Sequence, residues 1–391
     1  MKLLFSARPA FGHVYPMLPL ALAARDVGHD VAFATTGQFL QRLRRLGFTT
    51  LDVGVSIEAA RDELVASLGA STEMPTDLDG RPDVVMGARL FIDGVARATA
   101  ADLRALLPQV EPDVVVFEQY DFGAAIAAHR AGIPAVCHSL SPRPPDELTA
   151  NRVVETLLSW LWAEHGVDAP TLDVHTGDVY VDLFPDVLQS PATRANTRRL
   201  RLRPVPYAEP TAIVPRWLHC SGRRLVYLTL GTVVATDDVL APAIDGLARL
   251  DADVLVALGS AAGTGFGTLP PNVHVEAFVD QPTVLRHADL AVHHGGSGTV
   301  LAALTSGTPQ LLLPKGADQF WNADAMAAAD LVGVLEPGAA TAAAITDAAR
   351  AELDRLRPSA ASARAELLGL PGPREALDEL LAHLGLGRRA A

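Results

Sequence analysis

The chain has 391 residues, 49% of them hydrophobic and 20% charged, too long for one ordinary α/β core, so two domains are expected. Its 32 basic and 45 acidic residues give a net charge of −13, which argues against a nucleic-acid partner but leaves room for a phosphate held by local N–H groups and dipoles. Only Cys137 and Cys220 are present, with no metal-ligand spacing and no disulfide framework.

The apolar start, Met1-Lys2-Leu3-Leu4-Phe5, is broken by Arg8, Pro9, Gly12 and His13 too early for a secretion signal. No run of 18 apolar residues suggests a membrane span, so a cytoplasmic protein is expected. Residues 3–7 read as a buried strand, 17–27 as a helix, 30–34 as the next strand, and 39–46 as a short helix before 48–53. The stretch 56–83 lacks clear periodicity and is long for a βα connection, which suggests a ligand-facing segment. Residues 84–107 read as a helix ended by Pro108, 114–117 as a strand, 122–130 as a helix and 135–138 as a strand. Near-continuous apolar strands alternating with helices are the pattern of a doubly wound α/β sheet. Residues 153–164, with Trp160 and Trp162, form a further helix. The run Arg194, Arg198, Arg199, Arg201 and Arg203 reads as a solvated surface segment, with contact to a phosphorylated ligand as the minor alternative.

Pro204, Pro206, Pro210 and Pro215 then break the pattern. The domains are placed at 1–203 and 217–391, with 204–216 as linker. A second βα series has strands at 224–230, 254–258, 273–276, 290–293 and 310–314. A closing helix follows Glu375, and whether it crosses back to the first domain is left open by periodicity.

Two stretches carry chemistry. His293-His294-Gly295-Gly296-Ser297-Gly298-Thr299 has the order strand, glycine-rich turn, helix. Unpaired N–H groups and partial positive charge at a helix start suit a phosphate; a plain tight turn is the bland alternative. Phe11-Gly12-His13-Val14-Tyr15-Pro16 follows the first strand. Gly12 is expected to permit a tight turn, Pro16 suits a first helical turn, and His13 falls at a strand–helix junction. Asp77-Leu78-Asp79 and Asp251-Ala252-Asp253 fit the short Asp-x-Asp pattern but lack suitable surroundings, so no metal is expected. No Gly-x-Ser-x-Gly elbow appears.

With Gly307-Thr308-Pro309-Gln310, and Pro314-Lys315-Gly316-Ala317-Asp318-Gln319-Phe320 followed by Asn322, these stretches resemble the inverting, nucleotide-sugar-dependent glycosyltransferases of the GT-B fold. Within them the chain is similar to the actinobacterial group that decorates antibiotics and other secondary metabolites. The resemblance implies two Rossmann-like domains facing each other across a central cleft, the first for acceptor and the second for donor. It makes His13 the general base, removing a proton from an acceptor hydroxyl. The family orients this base with an acidic residue, usually aspartate, at the end of the fourth strand. Glu118 stands there, a departure, with Asp121 as its rival.

By the same resemblance His294, Gly296, Ser297, Gly298 and Thr299 meet the leaving diphosphate, while His293 packs behind the turn. Thr229, Gly231 and Thr232 are a second polar set, Phe278 and Val279 face the nucleotide base, and Asp318 and Gln319 bind sugar hydroxyls. The donor implied is a dTDP-sugar, with a UDP-sugar as the alternative, and no cofactor. The acceptor is a large, partly apolar small molecule, walled by 56–83 and 139–164, which include Met74, Pro75, Leu140, Leu157, Trp160 and Trp162. A homodimer is left open. A sugar-nucleotide epimerase of the same fold and a non-catalytic sugar-nucleotide-binding protein are the rival readings.

Overall fold

Leu3, Leu4 and Phe5 are fully buried, as are Val114, Val115, Val116 and Phe117. A strand with no solvent face must be covered on both sides, and here parallel pairing with helical crossovers does this. The computed structural model describes residues 1–68, 83–142, 151–168, 177–210, 212–219, 222–231, 237–259, 268–316 and 318–386. It is an α/β protein with two parallel sheets, the arrangement of a GT-B fold with two Rossmann-like domains.

One compact unit comprises Met1–Leu183, Gln189–Arg203 and Leu370–Ala391; the other comprises Phe184–Leu188 and Pro204–Gly369. The first sheet contains β1 (Lys2–Ser6), β2 (Asp30–Thr35), β3 (Thr49–Asp52), β4 (Val114–Glu118), β5 (Ala135–His138), β6 (Val179–Asp182) and β7 (Arg199–Arg201), in the order β3-β2-β1-β4-β5-β6-β7. The second contains β8 (Leu225–Thr229), β9 (Asp253–Ala257), β10 (Val273–Glu276), β11 (Leu290–His293), β12 (Gln310–Leu312) and β13 (Gly333–Val334), in the order β10-β9-β8-β11-β12-β13. The strand order reverses between β1 and β4 in one sheet and between β8 and β11 in the other. Chain segments leaving the carboxyl ends of such strands diverge and open a crevice for ligand.

Several expectations need correction. Residues expected to lack periodicity form a helix, Ile57–Leu68. Ile57, Ala60 and Leu64 pack with Leu90 and Val95, a spacing that puts one face of a helix on the core. Pro108 does not end its helix but lies inside Arg97–Val110, where it has no N–H to give the Arg104 carbonyl. Between Val84–Ala88 and Arg97–Val110 runs a π-helical stretch, Arg89–Ala96.

The arginine run is not simply a solvated segment. Arg199 in β7 is ion-paired at 2.7 Å with Asp182, whose side chain is fully buried. Part of the proline-rich stretch also pairs, because Ile213 bridges to Val279 and accepts the Asp280 N–H at 2.8 Å. The helix Pro373–His383 packs on the helix Leu18–Asp26 and on β7, with Leu377 and Leu380 fully buried.

Candidate active site

In the first unit, His13 sits in the short helix Phe11–Val14, just beyond the carboxyl end of β1. Gly12 is helical, not a tight turn, and a side chain there would meet open space. The neighbouring strand β4 ends at Glu118. Its position on the other side of the switch point brings its side chain to the histidine, with His13 Nδ1 3.0 Å from Glu118 Oε1. The glutamate is fully buried, while the His13 side chain keeps 19% of its surface exposed. Burial by itself would raise the Glu118 carboxyl. The charges of Arg8 and His13 and their hydrogen bonds outweigh it and hold the group well below the ordinary carboxylate range. With Nδ1 committed to the carboxylate, Nε2 is the nitrogen left to take a proton.

Asp121 is engaged elsewhere. Ser6 Oγ donates to its Oδ2 at 2.6 Å, and its Oδ1 caps the helix Phe122–Ala131 by accepting from the Ala124 N–H at 3.3 Å. Burial and the charge of Glu118 push Asp121 up to about 6, against the Ser6 hydrogen bond and the Arg8 charge. Two further groups, with no role expected from sequence, meet the Glu118 carboxylate here. Arg8 Nε donates to Glu118 Oε1 at 2.9 Å, and the Tyr120 N–H donates to Oε2 at 2.8 Å. The signal for Arg8 was a charged residue directly after a buried strand.

In the second unit, β11 ends in two histidines with opposite fates. His293 is fully buried. Its Nδ1 accepts the Gly295 N–H at 3.1 Å, which makes Nε2 the donor to Gln310 Oε1 at 3.0 Å. Burial and the neighbouring His294 push its pKa to about 3, so it is a neutral strut behind the turn. His294 is turned the other way and is partly exposed. Burial lowers its pKa, opposed by the Asp318 charge and the Thr229 main chain.

Two glycines make room for the His294 ring. A Cβ on Gly231 would lie 2.7 Å from it and one on Gly296 only 2.3 Å, while one on Gly298 would meet nothing. Gly296 is the N-cap of the helix Ser297–Ser306 and has no side chain to satisfy the first N–H groups. That leaves a helix start without a side-chain cap, of the kind that suits an anion, beside an imidazole.

The remaining predicted residues of this unit fall into three groups. Ser297 Oγ donates to Asp318 Oδ2 at 3.1 Å, and Asn322 Nδ2 reaches the Gly295 carbonyl at 2.9 Å and Asp318 Oδ2 at 3.1 Å. Gln319 is buried, and its Oε1 accepts the N–H groups of Lys315 at 2.9 Å and Gly316 at 3.1 Å. One oxygen of Asp318 is therefore spent on the two helices, at Ser297 and Asn322, and the one oxygen of Gln319 on the loop. Thr299 Oγ1 accepts from Gln281 Nε2 at 3.3 Å, and Thr229 is buried at the end of β8. Phe278 is half exposed, while Val279 and Trp217 both pack on the buried cluster around Tyr227 and Leu285, and Trp217 stacks on His274 at 4.1 Å.

Thr232, Met74, Pro75, Asp77 and Asp79 lie outside the described residues. Asp251 and Asp253 are each held by Arg223, at 2.9 and 3.1 Å. Among the described residues no group of three His, Cys, Asp or Glu side chains could hold a metal ion, and no helix is long and apolar enough to cross a membrane.

One parallel sheet with a histidine–carboxylate pair at its carboxyl end, and a second with a helix start suited to an anion at its own, are the parts of a sugar-nucleotide transferase. The chain belongs to the erythromycin biosynthesis protein CIII-like family of glycosyltransferases: its N-terminal domain profile matches residues 22–231 and its C-terminal domain profile residues 241–383. It is 33% identical over 335 residues to the L-demethylnoviosyl transferase of Streptomyces niveus, covering 84% of this chain and 83% of that one. Among solved structures it resembles the glycosyltransferase SnogD from Streptomyces nogalater, at 28% identity and TM-score 0.75 over 98% of this chain and 99% of that one. It also resembles the glycosyltransferase VinC in complex with dTDP, at 25% identity and TM-score 0.76 over 99% and 100%.

Proposed function

We propose that the protein transfers a deoxysugar from a dTDP-sugar to a hydroxyl of a natural-product acceptor, with inversion at the anomeric carbon and without a metal ion. The observation that carries this reading is the His13–Glu118 pair, at 3.0 Å, with the carboxylate buried and the imidazole still reachable. Nε2 takes the acceptor proton as the hydroxyl oxygen attacks the anomeric carbon. The bond from that carbon to the diphosphate oxygen breaks, and its electrons leave with the diphosphate. Glu118 keeps the ring in one tautomer and stabilises the imidazolium that forms. Asp121 in that role would need to leave Ser6 and its own helix.

The charge on the leaving diphosphate is met by His294, by the N–H groups of Gly296, Ser297 and Gly298, and by the Thr299 side chain. His294, kept mainly neutral, serves as an N–H donor. The nucleotide assignment draws support from VinC, solved with dTDP, and the acceptor class from the family. Asp318 and Gln319 keep one polar atom each toward a sugar, and Phe278 offers an exposed ring toward a base. Thr229, Gly231 and Thr232 remain the second polar set in this reading.

Steady-state kinetics and calorimetric nucleotide titration of His13→Ala test the reading. Turnover should fall by about 10² to 10⁴-fold, the value of general-base assistance, with nucleotide affinity nearly intact. Turnover at the parent rate would remove His13 from the chemistry.

A further inference from the structure

The Glu118 carboxylate does not serve His13 alone. Its Oε1 lies 3.0 Å from His13 Nδ1 and 2.9 Å from Arg8 Nε, while Oε2 takes the Tyr120 N–H at 2.8 Å. Arg8 is only 5% exposed. Its guanidinium lies over the Phe91 ring, with Cζ 4.5 Å from the centroid, and 5.5 Å from that of Tyr120. A planar fork held by ring contacts and one buried oxygen has little freedom to swing away.

We propose that Arg8 is a positioning residue for His13: it shares the carboxylate oxygen His13 uses, and so sets both the direction of the ring and its hold on a proton. The inference rests on the reading of His13 as the base and deepens it. Two effects act with the same sign. Arg8 draws on the anion that would otherwise stabilise the imidazolium, and its own charge repels a proton on the ring. Both lower the proton affinity of the His13–Glu118 pair wherever the proton resides. A histidine bound to a buried carboxylate alone would hold its proton to higher pH and be a poorer base near neutrality.

Other charged or titratable groups stand on the elements around the pair. Asp121 stands at the start of Phe122–Ala131, and His138 on β5 is in register with Glu118. Arg42 lies over the Phe11 ring at 4.9 Å. All three are retained in the variants below.

The test is an NMR titration of the His13 Cε1–H in histidine-labelled protein, the resonance being the one lost in His13→Ala. In Arg8→Gln its midpoint should rise by about one pH unit or more, and the acid limb of kcat/KM should move up with it. Arg8→Lys, which keeps the charge, should hold the midpoint near the parent's. A folded Arg8→Gln with an unmoved midpoint overturns the proposal and leaves Arg8 as packing. If Arg8→Gln does not fold, Glu118→Gln is compared with the double variant Arg8→Gln/Glu118→Gln, in which neither buried charge stands unopposed. The His13 midpoint should then be higher in the double variant, and equal midpoints overturn the proposal. The midpoint is read without turnover, so it fails separately from the base assignment, which falls instead if His13→Ala keeps the parent rate.

Discussion

Glu118 and Asp121 are three residues apart and both buried, yet their surroundings drive them in opposite directions. Glu118 is held down, so its contribution to stability is present above its ordinary value of 4.5 and is lost as pH falls toward its folded value. Asp121 is raised from 3.8 to about 6. Its preference for the proton stabilises the fold below 3.8 and is lost as pH rises through 6. Asp121→Asn keeps an acceptor for Ser6 and never ionises, so it should gain stability relative to the parent between pH 4 and pH 7, measured by denaturant unfolding at both. Its turnover should stay near the parent's, while Glu118→Gln should lose roughly 10² to 10⁴-fold, the range of general-base assistance. The opposite ranking would move the orienting role to Asp121. His13 and Glu118 were legible through the resemblance, which assigns the base to the histidine after the first strand and its partner to the acid ending the fourth. Arg8 also follows a buried strand, but nothing in the order of residues says that it shares an oxygen with a side chain 110 positions away.

At the scale of the element, the turn from β11 into Ser297–Ser306 depends on two glycines for different reasons. Gly231 has φ +77°, a conformation few other residues adopt, and also borders the His294 ring. Gly296 has an ordinary extended backbone, so only the nearness of that ring excludes a side chain. Gly296→Ala should therefore push His294 aside and weaken nucleotide binding in calorimetry. Gly298→Ala points its methyl into open space and should melt no lower than the parent, with a gain of about 0.5–1 kcal/mol from replacing a helical glycine. Equal nucleotide affinity in Gly296→Ala and the parent would detach His294 from the phosphate. The strand–turn–helix order was legible because apolar strand, glycines and small helix formers follow in sequence. The helix Ile57–Leu68 was not, because the face that packs, Ile57, Ala60 and Leu64, is blurred by further apolar residues such as Ala59 and Ala66 that stay exposed.

Across the molecule, both sheets place their polar groups at a switch in strand order, which is why two short motifs far apart in sequence carry most of the functional reading. The repeated βα pattern made the fold class readable. The grouping of residues into units does not follow chain order, because Leu377 and Leu380 show an apolar face in sequence without showing that Leu18–Asp26 covers it. The central claim is a single displacement assisted by His13, and the configuration of the product tests it most directly. An α-linked dTDP-sugar and a hydroxylated acceptor would be incubated with the protein in EDTA, and the glycoside's anomeric proton coupling read by NMR. The account predicts transfer in EDTA and a β-glycoside. A retained α configuration would contradict it, since one attack on the anomeric carbon cannot give retention.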